Sequence, residues 1–449
     1  MPTMTVSHDC LLEDISFELE SAIKARLTIN NPAYHNAKKY GRWIGKKLKP
    51  TLSYYETVPK GIRFPRGFAN QAYLLCRTIE QTAVEIIDKR RLLDTIEFRF
   101  NGVLRPYQQK AVDEATKKSF GVLEAGTGSG KTVMALKILA TRKQPTLVIV
   151  HSKELVLQWQ QRAQQFLSFE TGVIGNGHFT LAPLTIAIVN TARKRIQELV
   201  PHFGHVIVDE CHRVPAALFT EVVSQFDSHY LLGLSATAFR REDELTCLIY
   251  HFLGDSIHRV NQAELQASGA ILKPVHIARK TDFTYHYTGD YSALVKALTG
   301  DKKRNKKIVD DIRQAVHAET SGVSLVVSDR IQHCALLARL LEEEGITCTV
   351  LTSKVSAQQR AAIVQQVQRG EIEVLIASFR LISEGFDCPR LNNLFLTTPI
   401  AFEGAVLQVC GRVMRPAVGK RPKIYDYVDE QIAPLARSAR ARKAVFAKL

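Results

Sequence analysis

The sequence contains no CxxC pair. Its eight cysteines, Cys10, Cys76, Cys211, Cys247, Cys334, Cys348, Cys388 and Cys410, are scattered singly. That pattern excludes zinc-ribbon and iron–sulfur spacings, and it suits a reducing compartment. There is no apolar run of about 18 residues, so no membrane-spanning helix is expected. The opening stretch MPTMTVSHDCLLED lacks a basic start followed by an apolar segment, so no signal peptide is expected and an intracellular location follows. Low-complexity tracts and short repeats are also missing, which argues against linkers, solenoids and fibres.

What is present is ordinary globular material with a strong charge bias. The 449 residues are 45% hydrophobic and 23% charged, enough for roughly three domains of the usual size without disulfide or metal staples. Sixty Lys and Arg against 44 Asp and Glu leave a net charge of +16. A chain this basic meets a polyanion, most often nucleic acid; the alternative is that the charge only aids solubility.

Three zones are legible. Residues 1–95 mix helical stretches with a basic, aromatic segment. Between Ser21 and Tyr55 stand Lys24, Arg26, Lys38, Lys39, Arg42, Lys46, Lys47 and Lys49 with no acid, interleaved with Tyr34, Tyr40, Trp43, Tyr54 and Tyr55. Cations can bind phosphates while rings stack on bases; the alternative is a solvated basic face whose aromatics pack a small core. Residues 96–262 carry GVLEA (121–125), TLVIV (146–150), TIAIV (185–189), HVIVD (205–209) and LLGLS (231–235) between helical patterns. Residues 263–449 repeat the theme with VSLVV (323–327), CTVLT (348–352), EVLIA (373–377), LFLTT (394–398) and KIYDYV (423–428). Short runs rich in Val, Ile and Leu read as buried parallel strands, and their alternation with helices predicts two tandem α/β units after a small basic N-terminal domain. The link between the units is placed near 255–285.

Three motifs carry chemistry. AGTGSGKT (125–132) follows a strand-like run and precedes a helical one, the context that a phosphate-binding loop requires. Gly126, Thr127, Gly128, Ser129 and Gly130 would close backbone N–H groups around phosphates. Lys131 would hold the β- and γ-phosphates, and Thr132 would ligate Mg²⁺. Ala125 stands where the strict pattern has Gly. In VIVDECH (206–212) an apolar strand ends in two adjacent carboxylates. Asp209 would hold Mg²⁺ and Glu210 would polarise the attacking water. In QVCGRVMRP (408–416), Gln408, Arg412 and Arg415 recur every three or four residues. One helix face could present them, with the guanidinium groups acting on a γ-phosphate, a contact worth about 10³–10⁵ in rate where it operates. Taken alone, that motif also suits a basic surface helix.

The order AGTGSGKT, DECH, SAT (235–237) and QVCGRVMR resembles the superfamily 2 helicases of the DExH type, over about 350 residues from Leu104 to Asp429. The nearest branch by resemblance is the XPB-type repair helicases with the related phage branch-migration helicases. LRPYQQKAV (104–112) and Arg241, Glu242 and Asp243, which match the RED loop just after SAT, point there. The resemblance implies two RecA-like domains flanking an ATP cleft. Arg105 and Gln108 would recognise adenine, and Asp387, with Gly385 beside it in ASFRLISEGFDCP (377–389), would approach the ribose. Ser152 and Lys153, Thr191, Arg241, Ser328 and Ser378 would lie along the nucleic-acid strand, joined by the N-terminal Lys38, Lys39, Arg42 and Trp43. His212, Ser235 and Thr237 would couple nucleotide state to the strand. The chain departs from that branch in having little room for a large insertion between the motor domains. DKKRNKK (301–307) reads as a solvated helix start or a binding loop, and Trp43 and Trp159 also suit packing roles.

The expectation is therefore an ATP- and Mg²⁺-dependent DNA helicase or translocase. It would act as a monomer on forked or branched DNA, without membrane association, in the cytoplasm of a bacterial or phage-infected cell. An RNA-stimulated helicase and a duplex-DNA translocase subunit of a restriction or defence complex remain open. So does a clamp that binds ATP only as a structural ligand.

Overall fold

A computed structural model describes residues 1–39, 41, 43–45, 48–212, 216–236, 245–318, 322–383, 388–400 and 403–449. The chain forms two compact units, Met1–Ala125 with Gly130–Val260, and Gly126–Ser129 with Asn261–Leu449.

The first unit begins with seven short strands: β1 (Thr3–Val6), β2 (Asp9–Glu13), β3 (Thr28–Asn30), β4 (Thr51–Ser53), β5 (Glu56–Val58), β6 (Gly61–Pro65) and β7 (Glu85–Asp88). Five of them make a sheet in the order β5-β6-β2-β1-β7, and β3 pairs with β4 apart from it. In β1 and β2 every second residue is buried, the period-2 pattern of a sheet with one face in a core. That face packs on the helix Phe17–Leu27, whose Leu19, Ile23 and Leu27 recur every four residues along one side. Ser16 caps this helix by accepting the Leu19 N–H at 3.2 Å. Residues 1–88 thus have their own sheet and core, yet they pack in the same compact unit as the larger sheet that follows. The buried Arg66 guanidinium donates at 2.7 Å to the Ser228 carbonyl. Asn70 and Gln71 donate to Asp255, and Arg91 pairs with Asp227 at 2.9 Å.

The larger sheet of this unit has eight strands: β8 (Phe120–Ala125), β9 (Thr146–Val150), β10 (Gly172–Gly175), β11 (His178–Thr180), β12 (Leu184–Ile188), β13 (His205–Val208), β14 (Tyr230–Ser235) and β15 (Ser256–Val260). Their order is β11-β10-β12-β9-β13-β14-β8-β15, and all pairs are parallel except β10 with β11. The five runs read as strands from the sequence are the central five. β9 and β13 are buried along their whole length, as parallel strands covered by helices on both faces must be. The strands that carry no clear apolar run, β10, β11 and β15, lie on the two flanks, where exposure relaxes the hydrophobic pattern.

The second unit carries β16 (Val275–Lys280), β17 (Val323–Ser328), β18 (Cys348–Leu351), β19 (Val374–Ser378), β20 (Leu391–Leu396) and β21 (Lys423–Val428) in the order β16-β21-β20-β17-β19-β18, every pair parallel. Five of the six coincide with predicted runs. The sixth, β16, falls within the stretch expected to be a link. Its sequence VHIARK alternates polar residues into an edge position, so it shows no apolar run. Two tandem parallel-sheet α/β domains of the RecA-like kind are therefore observed. Among the described residues no helix is long and apolar enough to cross a membrane.

Candidate nucleotide site

Strand β8 ends at Ala125, and the helix Lys131–Arg142 begins soon after. Gly128 and Gly130 between them have φ of +90° and +81°, left-handed values that a Cβ disfavours. At Gly130 a second constraint applies. A Cβ there would meet Gln108 Nε2 at 2.5 Å. Gln108 is buried in the helix Pro106–Thr116, and its Oε1 accepts the Arg105 N–H at 2.9 Å. The amide is therefore held against the loop, while the Arg105 side chain is exposed.

Lys131 Nζ donates to the Ala125 carbonyl at 3.1 Å and lies 3.3 Å from Glu210 Oε1. Thr132, in the first turn of the same helix, is partly buried. Glu210 follows Asp209 at the end of β13 with φ of +45°, a left-handed conformation uncommon for a non-glycine residue. It is held there by the neighbouring Cys211 N–H, which bonds the Leu234 carbonyl of β14 at 3.0 Å. Asp209 is buried. Its Oδ1 accepts the Glu210 N–H at 2.9 Å, and its Oδ2 accepts the Trp159 indole N–H at 2.8 Å. Burial, and then the Glu210 charge beside it, raise the Asp209 pKa, against the Trp159 hydrogen bond and the Lys131 charge, which lower it.

Two adjacent carboxylates facing one lysine leave an excess of negative charge in a buried place. Burial is the larger cause of the raised Asp209 pKa, and the Glu210 charge adds to it. A hydroxyl and carboxylates are hard oxygen donors that suit Mg²⁺, which needs only one or two carboxylates beside phosphate oxygens. Among the described residues no group of three or more His, Cys, Asp and Glu forms an all-protein metal cage, and this chemistry requires none. Thr132 and Asp209 fit the ion.

Glu210 also leads away from the loop. Its Oε2 lies 3.4 Å from His212 Nδ1, and that nitrogen lies 3.0 Å from the Ser235 hydroxyl at the end of β14. Ser235 is buried and so is His212. A continuous path thus runs from Lys131 through Glu210 and His212 to the strand end that precedes Thr237. Thr237, Arg241, Gly385, Asp387 and Arg42 lie outside the described residues.

In the second unit, Gln408 and Arg412 sit one turn apart on the helix Glu403–Val413, and both are buried. That helix ends at Val413, so Arg415 lies beyond it and is half-buried. One uninterrupted helix face therefore carries Gln408 and Arg412 but not Arg415.

The residues expected along a strand differ in what they offer. Lys153 is exposed at the start of the helix Lys153–Leu167, and Ser152 caps it, accepting the Leu155 N–H at 3.4 Å. Thr191 and Ser378 are partly buried, whereas Lys38 and Lys39 are exposed and Trp43 is 89% exposed. Ser328 departs from the expectation. It is fully buried, and its hydroxyl faces His333 Nδ1 at 3.0 Å and accepts the Arg330 N–H at 3.2 Å. Its hydroxyl is engaged inside the domain. Two further features of the site escape a reading of the sequence. One is the Trp159 hydrogen bond to Asp209. The other is Glu124, buried on β8, which accepts from Tyr250 at 3.0 Å and from Arg259 at 2.7 Å. A buried acid one residue before Ala125, in a strand otherwise apolar, is the signal that could have marked Glu124. Nothing local marks Trp159, because its partner is 50 residues away.

Comparison with known proteins agrees with this arrangement. Residues 101–240 match the family described as type III restriction enzyme, res subunit, and residues 306–417 match the helicase conserved C-terminal domain. The chain is 26% identical over 405 residues to the DNA 3'-5' translocase XPB2 of Sulfurisphaera tokodaii, covering 81% of this chain and 89% of that protein. It is 27% identical over 370 residues to "Probable helicase D10" of Escherichia phage T5, covering 81% and 79%. Among solved structures, S. cerevisiae Dbp5 bound to RNA and ADP BeF3 shares the fold, with a TM-score of 0.55 at 14% identity, over 77% of this chain and 91% of that one. Both matches lie in the order expected of a helicase with two motor domains, and the chain resembles superfamily 2 helicases of the XPB-like and phage kinds.

Proposed function

We propose that this chain hydrolyses ATP to move along DNA, and that it unwinds or remodels branched DNA such as forks and junctions. The observation that carries the reading is the Lys131–Glu210 contact of 3.3 Å beside the buried Asp209. A lysine and a carboxylate that neutralise each other without nucleotide are available to separate tasks once phosphates enter. Lys131 would leave Glu210 and the Ala125 carbonyl for the β- and γ-phosphates. Glu210, released, would accept the proton of the attacking water. Thr132 and Asp209 would hold Mg²⁺, which when bound would neutralise charge on the phosphates. Arg412 and Arg415 are assigned to the γ-phosphate charge that develops during transfer. His212 and Ser235 would carry the change at Glu210 towards the strand.

The choice of DNA is supported by the names of the relatives, a DNA 3'-5' translocase among them, and by the net charge of +16. The choice of branched DNA is supported by the exposed Lys38, Lys39 and Trp43, which offer cations and a stacking ring ahead of the motor domains. The match of residues 101–240 to a restriction-enzyme subunit favours one second reading, a duplex translocase that does not unwind. ATP hydrolysis is measured at one fixed salt concentration with single-stranded DNA, duplex DNA, a four-way junction and RNA, because phosphate contacts make affinity strongly salt-dependent. Preferential stimulation by the junction is the expected result. Equal stimulation by plain duplex favours the translocase, and stimulation by RNA alone overturns the choice of DNA.

A further inference from the structure

We propose that Trp159 is a positioning residue for Mg²⁺: its indole N–H fixes the Asp209 carboxylate in the orientation that receives the ion. This rests on the nucleotide-hydrolysing reading above.

An indole has one donor and no acceptor, and a buried indole N–H needs a partner. Trp159 is 1% exposed, so it could have been satisfied by a backbone carbonyl within its own layer. Its N–H instead meets Asp209 Oδ2 at 2.8 Å, a distance typical of a hydrogen bond to a charged acceptor. The other oxygen, Oδ1, takes the Glu210 N–H at 2.9 Å. One donor on each oxygen stops the carboxylate turning about its Cβ–Cγ bond, and each oxygen keeps a further lone pair. A phenylalanine at 159 would fill most of the same space and remove only the donor to Oδ2.

The donor itself is held still. Val156, Trp159, Ala163 and Leu167 form the buried stripe of the helix Lys153–Leu167. Its N-terminus is fixed by the Ser152 cap. The ring therefore stands on a rigid element and reaches the end of β13, so the metal ligand is oriented by a neighbouring helix rather than by its own strand alone. Groups that orient a metal ligand in this way typically change metal affinity or activity by about 10–100-fold when removed.

The test uses the full chain and two variants. In Trp159→Phe, the Mg²⁺ concentration for half-maximal ATP hydrolysis should rise at least about tenfold. Binding of a fluorescent ADP analogue in EDTA should stay at the parent value, a split that mere loss of packing would not produce. The chain has two tryptophans, so Trp43→Phe leaves Trp159 as the only indole. Its emission should respond saturably to Mg²⁺ with ADP present and should lose that response when Asp209→Asn is added. An unchanged Mg²⁺ midpoint in a folded Trp159→Phe overturns the proposal. If Trp159→Phe does not fold, the emission titration decides, and absence of a Mg²⁺ response overturns the proposal there. A parent chain with no Mg²⁺-dependent hydrolysis overturns the function proposed above; the emission titration then judges Trp159 by itself.

Discussion

Replacing Glu210 by glutamine removes one charge and leaves the shape of the side chain nearly unchanged. Lys131 loses the carboxylate 3.3 Å away but keeps the Ala125 carbonyl at 3.1 Å, so the lysine is no less available to phosphates. Asp209 loses the neighbouring charge that helps to raise its pKa, so it ionises more readily and its side of the Mg²⁺ site improves. On the proposed mechanism the attacking water loses its proton acceptor, and positioned general bases contribute about 10²–10⁴ in rate. At about 1.36 kcal/mol per factor of ten this is about 3–5 kcal/mol on the barrier. If Glu210 were only the partner in this largely buried ion pair, the change would cost stability and would leave the chemical step alone. The two cases therefore differ by orders of magnitude in turnover. The assay is single-turnover ATP hydrolysis with saturating DNA, paired with equilibrium nucleotide binding. Binding at the parent level or tighter, with turnover down at least about a hundredfold, is expected. Turnover within about tenfold of the parent refutes Glu210 as the base.

Lys131→Ala should abolish turnover and also weaken nucleotide binding, because the lysine is the cation proposed to meet the phosphates; retention of both in a steady-state assay would remove it from the site. Burial, and then the Arg304 charge, push the His333 pKa down to about 3. The unfolded chain therefore takes up a proton below about pH 6.5 that the folded chain refuses, and the stability from neutral His333 is lost as pH falls from about 6.5 towards 3. Stability against denaturant should weaken as pH falls from about 6.5 towards 3, and His333→Gln should flatten that slope; an equal slope in both proteins counts against the assignment. Replacing Lys38, Lys39 and Trp43 together by alanine should weaken junction binding. It should also reduce the slope of log affinity against log salt by about two, one for each lysine removed. An unchanged slope by fluorescence anisotropy would take these lysines off the DNA.

What is legible in the sequence is whatever rests on local pattern. The central strands β8, β9, β12, β13 and β14 show as apolar runs because parallel strands are buried on both faces. The loop from Ala125 to Thr132 and the Asp209–Glu210 pair show because their chemistry needs neighbouring residues. Strand β16 is not legible, since an edge position tolerates the polar residues of VHIARK. Nor is the N-terminal sheet, whose strands are three to five residues long and alternate rather than run. Ser328 misleads for a different reason. Its position in a motif shows which strand it ends, but not that His333, five residues on, folds back to occupy its hydroxyl. That ring is itself set by Asn305, whose Oδ1 lies 3.0 Å from Nε2 and whose amide donates to the Thr299 carbonyl at 2.9 Å. The Asn305–His333 contact closes over 28 residues and leaves no periodicity to read.

Arg66 sets a limit on how the molecule can be taken apart. The guanidinium is buried between the N-terminal sheet and the sheet that follows, donating to the Ser7 and Ser228 carbonyls. Its Nε and Nη2 have no hydrogen-bond partner among the described residues. A charge in that position is tolerated only while both sides are assembled around it. A chimera that grafts residues 1–95 onto another motor must therefore either supply a carbonyl where Ser228 stands or replace Arg66 with an apolar residue. Without one of these the grafted Arg66 keeps only the Ser7 carbonyl, and such chimeras should be designed with their seam beyond Val260 rather than near residue 95.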